Sequence, residues 1–141
     1  MIDANLLLYA YDEADPRHPV VARWFQSLMS SSDDVGLPLL AILAFIRLST
    51  DHRVFEQPRS VATALAIVES CLSRPNVRLL EPTGGHWATL ADLAARGQAR
   101  GPQLMDAHLA ALTIEHGATL ATADRGFARF PGLRTLDPTA A

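Results

Sequence analysis

The chain has 141 residues, of which 49% are hydrophobic, and a formal net charge of -3. This length and apolar content suffice for one closed core, so we expect a single domain over residues 1–141. The acidic balance excludes a protein that coats nucleic acid through overall basicity. No apolar run approaches the roughly 20 residues of a membrane span, and the residues after Met1 lack a signal-peptide pattern. We therefore expect a cytoplasmic protein.

The first predicted elements are short. Ile2 begins a strand, and residues 6–11 have the apolar pattern of a buried helix with Asn5 as its N-cap. A strand needs about five residues, so we expect either a few native residues before Met1 or a first strand reduced to a stub. Residues 19–29 follow as a helix that Asp15 caps.

Strands and helices alternate along the rest of the chain. Strands are predicted at residues 35–37, 77–80, 118–122 and 133–136, and helices at residues 39–48, 61–72, 87–95 and 106–116. Gly97 and Gly117 end the last two helices. This alternation predicts an α/β fold with a parallel central sheet of four to five short strands and helices on both faces, three layers in all.

Three aspartates are the candidate site. Asp3 and Asp124 follow predicted strands, and Asp106 lies in the first turn of a predicted helix. Ligands of α/β folds bind outside the carboxyl ends of the strands, and Mg²⁺ takes one or two carboxylates while it keeps several waters. The alternative interpretation is that each aspartate only caps a helix or a turn.

The sequence around these acids resembles a known family. Residues 3–10, 104–110 and 120–127 are similar to the first, third and fourth acidic motifs of PIN domains, and together they span almost the whole chain. With residues 38–47 and 130–133 included, the similarity is greatest to the VapC toxins of bacterial toxin–antitoxin pairs. The order and spacing of the motifs make this resemblance specific.

The resemblance implies a PIN-like fold and a metal-dependent endoribonuclease that cleaves RNA phosphodiester bonds, in loops of transfer or ribosomal RNA. Mg²⁺ or Mn²⁺ would be held by Asp3, Asp106 and Asp124, and Asn5 and Thr122 would orient these carboxylates from behind. It also implies a cognate VapB-type antitoxin. The apolar faces of the early helices exceed what a small sheet covers, so a homodimer is also expected.

Two positions depart from the family pattern. Ala44 stands where the family usually has a glutamate, and Gly126 stands where many members have another acid. Asp51 is about 10 Å along the helix from Ala44, too far to replace that glutamate. We therefore predict weak metal affinity that improves when the substrate phosphate completes the coordination shell.

Arginines near the acids are the candidate RNA contacts, because the guanidinium fork fits phosphate oxygens. They are Arg96, Arg100, Arg125 and Arg129. Arg125, beside Asp124, is the strongest candidate, with a surface salt bridge as its alternative role. The histidines contribute little to this prediction, since His108 would face away from Asp106 on a helix.

Two other functions compete with the nuclease. A catalytically degenerate PIN-like module would bind RNA or a protein without cutting, and the absence of acids at Ala44 and Gly126 favours it. The second competing function is that of a phosphatase with Asp3 as its nucleophile. Phosphotransfer folds of that kind usually place a second acid two residues later, where this chain has Asn5.

Overall fold

The computed structural model describes residues 1–140. Its helices are α1 (Ala4–Tyr11), α2 (His18–Met29), α3 (Leu39–Ser49), α4 (Val61–Leu72), α5 (His86–Arg96) and α6 (Gln103–Glu115). Its strands are β1 (Val35–Pro38), β2 (Val77–Leu80), β3 (Leu120–Ala121) and β4 (Thr135–Leu136), and a short 3₁₀ helix covers Arg125–Arg129. None of the helices in this described part is long and apolar enough to span a membrane.

The strands form two parallel pairs that the N-terminus connects. β1 pairs with β2, and β3 pairs with β4. Ile2 forms a parallel bridge with Ala121 of β3, and its backbone N–H donates to the carbonyl of Gly36 in β1 at 3.1 Å. The predicted first strand is therefore a stub at the centre of the sheet, and the predicted parallel α/β fold is confirmed.

Two predicted helix caps are wrong. Asp3 caps α1, because its carboxylate accepts the N–H of Ala4 at 2.7 Å, whereas Asn5 lies inside the helix. The residue that precedes α2 is Arg17, and the side chain of Asp15 binds Arg17 rather than the helix. The first correction matters for function, because it leaves the Asn5 amide free to contact Thr122, the residue after β3.

The last helix and the last strands differ in length from their predictions. α6 begins at Gln103, one turn of helix earlier than predicted, and Gly117, with a φ of 63°, ends it as expected. β3 and β4 are two residues each, shorter than the predicted runs. By contrast, α4 and β2 have the predicted bounds.

The core has two parts on either side of the central strand residues. The larger packs α1, α2, α3 and α4 against β1 and β2, with Ile2, Leu6 and Phe45 almost fully buried. The smaller lies around α6 and includes Leu120 of β3 and Phe127. Ile2 and Leu120 are thus buried in the two parts of the core, just before Asp3 and Thr122 leave the sheet.

Candidate metal centre

Asp3, Asp106 and Asp124 lie where the chain leaves the sheet or begins a helix. Asp3 directly follows the Ile2 bridge, and Asp124 follows β3. Since Ile2 and Ala121 pair in parallel, their chains leave the same edge of the sheet. Asp106 reaches the region from the first turn of α6, where the helix dipole favours a carboxylate.

Thr122 connects the two strand-end aspartates. Its hydroxyl donates to Asp3 Oδ2 at 2.7 Å and accepts the backbone N–H of Asp124 at 3.0 Å. The residue is 3% exposed, so this bridge is shielded from water. One buried hydroxyl therefore fixes the orientation of Asp3 and the path of the chain at Asp124.

Asn5 approaches the same hydroxyl from α1. Its Nδ2 lies 3.4 Å from Thr122 Oγ1, a long hydrogen bond. Its Oδ1 is buried and has no hydrogen-bond partner among the described residues. A buried acceptor without a partner is rare in proteins, and it leaves one lone-pair group available to a bound water.

The site has an excess of negative charge. Burial raises the pKa of Asp3, and the charge of Asp124 adds to the shift while Thr122 and the Ala4 N–H oppose it. Burial also raises the pKa of Asp106, and the charges of Asp124 and Asp3 reinforce it against Arg129. Within residues 1–140, none of these three acids forms a salt bridge with a basic side chain.

The donor set fits a hard divalent cation, because it consists of carboxylate oxygens whose mutual repulsion a cation would relieve. As the side chains stand, however, no three acidic, histidine or cysteine residues of the described chain are close enough to hold one ion together. An ion would therefore bind all three only if the carboxylates moved closer together, and that movement would lower the affinity.

Comparisons with known proteins identify the family of the chain. The PIN domain family matches residues 1–133. The ribonuclease VapC43 of Mycobacterium tuberculosis is 37% identical over 137 residues, which are 97% of this chain and 93% of that protein. The chain belongs to the VapC ribonucleases of the PIN-domain family.

Two solved structures have the same fold. A chain of VapBC-1 from nontypeable Haemophilus influenzae superposes with a TM-score of 0.70 at 19% identity, and 99% of this chain and 98% of that one are covered. A chain of VapBC2 from Rickettsia felis, bound to a DNA fragment from its promoter, gives a TM-score of 0.69 at 15% identity, with 96% of each chain covered.

Gly126 holds Asp124 in this PIN domain. Its backbone N–H donates to Asp124 Oδ1 at 2.8 Å. A Cβ at position 126 would lie 3.0 Å from the same oxygen, so an acid there would displace the carboxylate by a few tenths of an ångström. Glycine at position 126 thus allows the hydrogen bond to Asp124 without displacing its carboxylate.

A surface depression of about 330 Å³ lies beside the acids of the PIN domain and contains one of the predicted arginines. Thr122, Asp124, Arg125 and Asp137 are among the residues that line it. Asp3 and Asp106 are outside this lining, so the metal centre is at the rim of the depression. Of the predicted RNA contacts, Arg125 is the one that faces this space.

The other predicted arginines are placed differently. Arg129 donates to Gln103 Oε1 at 3.0 Å and to the carbonyl of Gly97 at 3.3 Å, which fixes it near Asp106. Arg96 forms an exposed pair with Asp92 at 3.3 Å, one turn earlier on α5. Among residues 1–140, the Arg100 guanidinium has no hydrogen bond, and its backbone N–H donates to Gln103.

A second polar cluster of the PIN domain was missed from the sequence. His86 Nδ1 lies 2.7 Å from Glu115 Oε2, and His86 Nε2 lies 2.8 Å from His108 Nδ1. Glu115 also accepts the N–H of Thr83 at 2.8 Å. These residues are 22 to 32 positions apart, so no local pattern marks them. None of these contacts involves Asp3, Asp106 or Asp124, so the cluster is separate from the candidate metal centre.

An apolar depression of about 440 Å³ adjoins that cluster. His108 is part of its lining, together with Leu40 of α3, Trp87 of α5 and Met105 of α6. Trp87 is 77% exposed and Met105 is 56% exposed. This exposed apolar surface lies mainly on α5 and α6, not on the early helices where the sequence predicted an apolar excess.

Proposed function

We propose that the chain is the toxin of a type II toxin–antitoxin pair, a single PIN-like domain that acts as a metal-dependent endoribonuclease. The observation that carries the proposal is the group of three carboxylates, two of them with raised pKa values, at one edge of the sheet without a basic partner. Asp3, Asp106 and Asp124 would hold Mg²⁺ or Mn²⁺.

Each surrounding residue has a defined task in that proposal. Thr122 and the Ala4 N–H each bind one oxygen of Asp3, and the Gly126 N–H binds one oxygen of Asp124, so that the carboxylates would be held in place with further lone pairs left for the ion. Asn5 supplies a free acceptor for a water of the site. When bound, the ion acts as a Lewis acid on the scissile phosphate and lowers the pKa of an attacking water.

The RNA would approach across the depression beside Asp124. Arg125 lines that depression, and Arg100 has free donors for phosphate oxygens. Arg129 fits a supporting role, because its guanidinium is engaged with Gln103 and Gly97. Arg96 is the weakest of the four proposed contacts, since Asp92 already neutralises it. Exposed loops of transfer or ribosomal RNA are the proposed targets, because their bases are unpaired.

The partners follow from the family. The similar structures are those of VapBC-1 and VapBC2, and the latter is bound to promoter DNA. We infer that a VapB-type antitoxin silences this chain in the cytoplasm. We also infer a homodimer through the apolar surface that Leu40, Trp87 and Met105 form, because Trp87 and Met105 are exposed without a cover in the monomer.

A degenerate module that binds RNA without cutting it is the second candidate. It is favoured by Ala44, which supplies no carboxylate, and by the failure of the present side chains to form a ready ion site. Both functions predict RNA binding. Only the first predicts a cleaved product that depends on a divalent ion.

The deciding experiment is incubation of the purified chain with total or transfer RNA, with and without Mg²⁺ or Mn²⁺. We expect internal cuts that require the ion and that Asp106→Ala abolishes. Asp51→Ala is the matched control, because Asp51 pairs with Arg53 in an exposed turn and neither residue is a proposed contact of the RNA or the ion. Binding without cuts in every condition would favour the degenerate module, and phosphate release from small monoesters would favour a phosphatase.

A further inference from the structure

Two Asp-x-Arg turns of the chain have the same hydrogen bonds. In each, the aspartate accepts the backbone N–H of the arginine at 2.8 Å. It also accepts from the arginine's Nε and Nη2, at 2.8 and 2.7 Å for Asp15–Arg17 and at 3.1 and 3.0 Å for Asp51–Arg53. The ion pairs are therefore equivalent, and any further difference between the two arginines comes from their surroundings.

Arg17 differs because it lies over an aromatic ring. Its Cζ is 3.6 Å from the centroid of the Tyr9 ring, and its Nη1 donates to the Tyr9 hydroxyl at 2.7 Å. The Arg17 side chain is 47% exposed, against 80% for Arg53. Asp15 and Tyr9 thus fix the guanidinium from two sides and leave a part of it open to solvent.

Tyr9, which carries this fixed arginine, lies on the face of α1 that leads to the candidate metal centre. Tyr9 is four residues after Asn5 on α1, on the same face and about 6 Å along the axis, and Asn5 contacts Thr122. The pKa of Tyr9 is raised, mainly by burial, and the charges of Asp3 and Asp124 make smaller contributions of the same sign. The phenol is therefore within electrostatic reach of the candidate metal centre.

The remaining chemistry of Arg17 suits a base better than a phosphate. Asp15 occupies the Nε and Nη2 edge, which is the edge that binds a phosphate with two parallel hydrogen bonds, and it cancels the positive charge. The part of Arg17 that remains available to a ligand is the flat face of its guanidinium group. Unpaired RNA bases stack on aromatic rings and on guanidinium planes of this kind.

We propose that Arg17, fixed over Tyr9 by Asp15, is a stacking platform for an unpaired base of the RNA next to the scissile phosphate. The platform rests on the proposed ribonuclease function, which it extends by a positioning residue. It binds through the planar guanidinium rather than through charge. Lysine is therefore unable to replace Arg17, although lysine keeps the charge.

The test measures binding of short single-stranded RNAs that contain the cut site, over a range of salt concentrations. All proteins have Asp106→Asn, so that the RNA stays intact. Arg17→Ala and Arg17→Lys are each expected to weaken binding by about 5- to 100-fold, as loss of one stacked base does, without change in the salt dependence. Arg53→Ala is the matched control and leaves binding unchanged.

An abasic nucleotide placed at each position in turn locates the stacked base. One position should weaken binding to the Arg17 protein and have no effect on binding to Arg17→Ala. If Arg17→Lys binds as tightly as Arg17, or if Arg17→Ala lowers the salt slope by about 0.7, the contact is with phosphate and the platform is wrong. If the unmodified chain cleaves RNA but Arg17→Ala does not change binding, the stacking platform is wrong and the ribonuclease function stands. If the unmodified chain neither binds nor cleaves RNA, the ribonuclease function is wrong as well.

Discussion

The two polar clusters of the molecule hold their carboxylates in opposite ways. Glu115 is buried with His86 against one oxygen and the Thr83 N–H against the other, so both of its oxygens have donors. Both oxygens of Asp3 also have donors, Thr122 and the Ala4 N–H, but the charged group that acts on Asp3 is another acid, Asp124, rather than a histidine. The Glu115 cluster thus pairs its carboxylate with a histidine, whereas the Asp3 cluster has, among the described residues, no basic side chain paired with its carboxylates.

This difference separates a structural site from a functional one more clearly than residue types do. Histidines beside a glutamate look catalytic in a sequence, but here hydrogen bonds satisfy them between two helices. Aspartates at strand ends look like ordinary caps, and Asp3 is in fact a cap. Burial, reinforced by the neighbouring acids, raises the pKa values of Asp3 and Asp106, and this makes the second site the candidate for binding a cation.

The largest expected effect is the loss of cleavage in Asp3→Asn. The substitution keeps the shape and the cap oxygen but removes one negative charge from the proposed ion site. We expect the cleavage rate to fall by more than about a hundredfold, the upper limit for loss of a ligand's hydrogen-bond partner. The free energy of unfolding without metal should stay the same or rise, because the variant relieves repulsion.

Asp51→Asn is the control for that variant, since Asp51 belongs to an exposed turn and pairs with Arg53. It should cut RNA at the original rate. Full activity of Asp3→Asn, with a normal melting temperature, would remove Asp3 from the ion site and with it the proposed distinction between the clusters.

The complete cluster should respond in the opposite way. Glu115→Ala leaves His86 and the Thr83 N–H without their acceptor in a place where Glu115 is only 6% exposed. We expect a loss of about 2–4 kcal/mol in the free energy of unfolding, measured by urea denaturation. The cleavage rate per folded molecule should not change, and a large fall in that rate would show that the cluster also serves catalysis.

Thr122→Val tests the link between the strand-end aspartates. Valine has the shape of threonine, but it cannot donate to Asp3 or accept from the Asp124 N–H. We expect a fall in cleavage of about 10- to 100-fold, the usual effect of removing a group that orients a ligand. Thr122→Ser keeps the hydroxyl and should recover most of the rate; if serine is as impaired as valine, the hydroxyl is not the cause.

The sequence predicted the elements that local patterns define. The bounds of α4 follow from the Ser60 cap, and α6 ends where Gly117 adopts a positive φ. β2 is predicted by a short apolar run that Pro82 follows. The acids of the site were found because strand ends are visible as the ends of apolar runs, and the family resemblance supplied their common role.

The sequence missed what depends on contacts between distant segments. Asn5 has the residue type of a helix cap, and only the packing of α1 on β3 shows that Asp3 has that position. Asp15 was assigned to a helix for the same reason, although it binds Arg17. The contact between His86 and Glu115 has no local signal, because 29 residues separate them.

Ala44→Glu tests whether the acid cluster lacks a ligand. A fourth carboxylate at the position where the family usually has one should raise the affinity for Mn²⁺ by about tenfold, equivalent to about 1.4 kcal/mol. Calorimetric titration of both proteins without RNA measures the difference. An unchanged affinity would mean that three aspartates already complete the protein's share of the shell.

The smallest predicted effect is a pair of opposite pH dependences in metal-free protein. The raised pKa values of Asp3 and Asp106 mean that the folded state binds protons more tightly than the unfolded chain. The free energy of unfolding of Asp3→Asn, relative to that of the native chain, should therefore decrease as the pH falls through those raised values towards about 4.

The lowered pKa of His108, which burial causes and His86 reinforces, acts in the other direction. His108 binds a proton less tightly in the folded state than in the unfolded chain, so the native chain loses stability as the pH falls through about 6.5. His108→Asn should not share that loss. The melting temperature of His108→Asn relative to the native chain should therefore rise on acidification, by about 2–4 °C, while that of Asp3→Asn falls. Differences of the same sign in both variants would mean that the two clusters do not hold their charges in opposite ways.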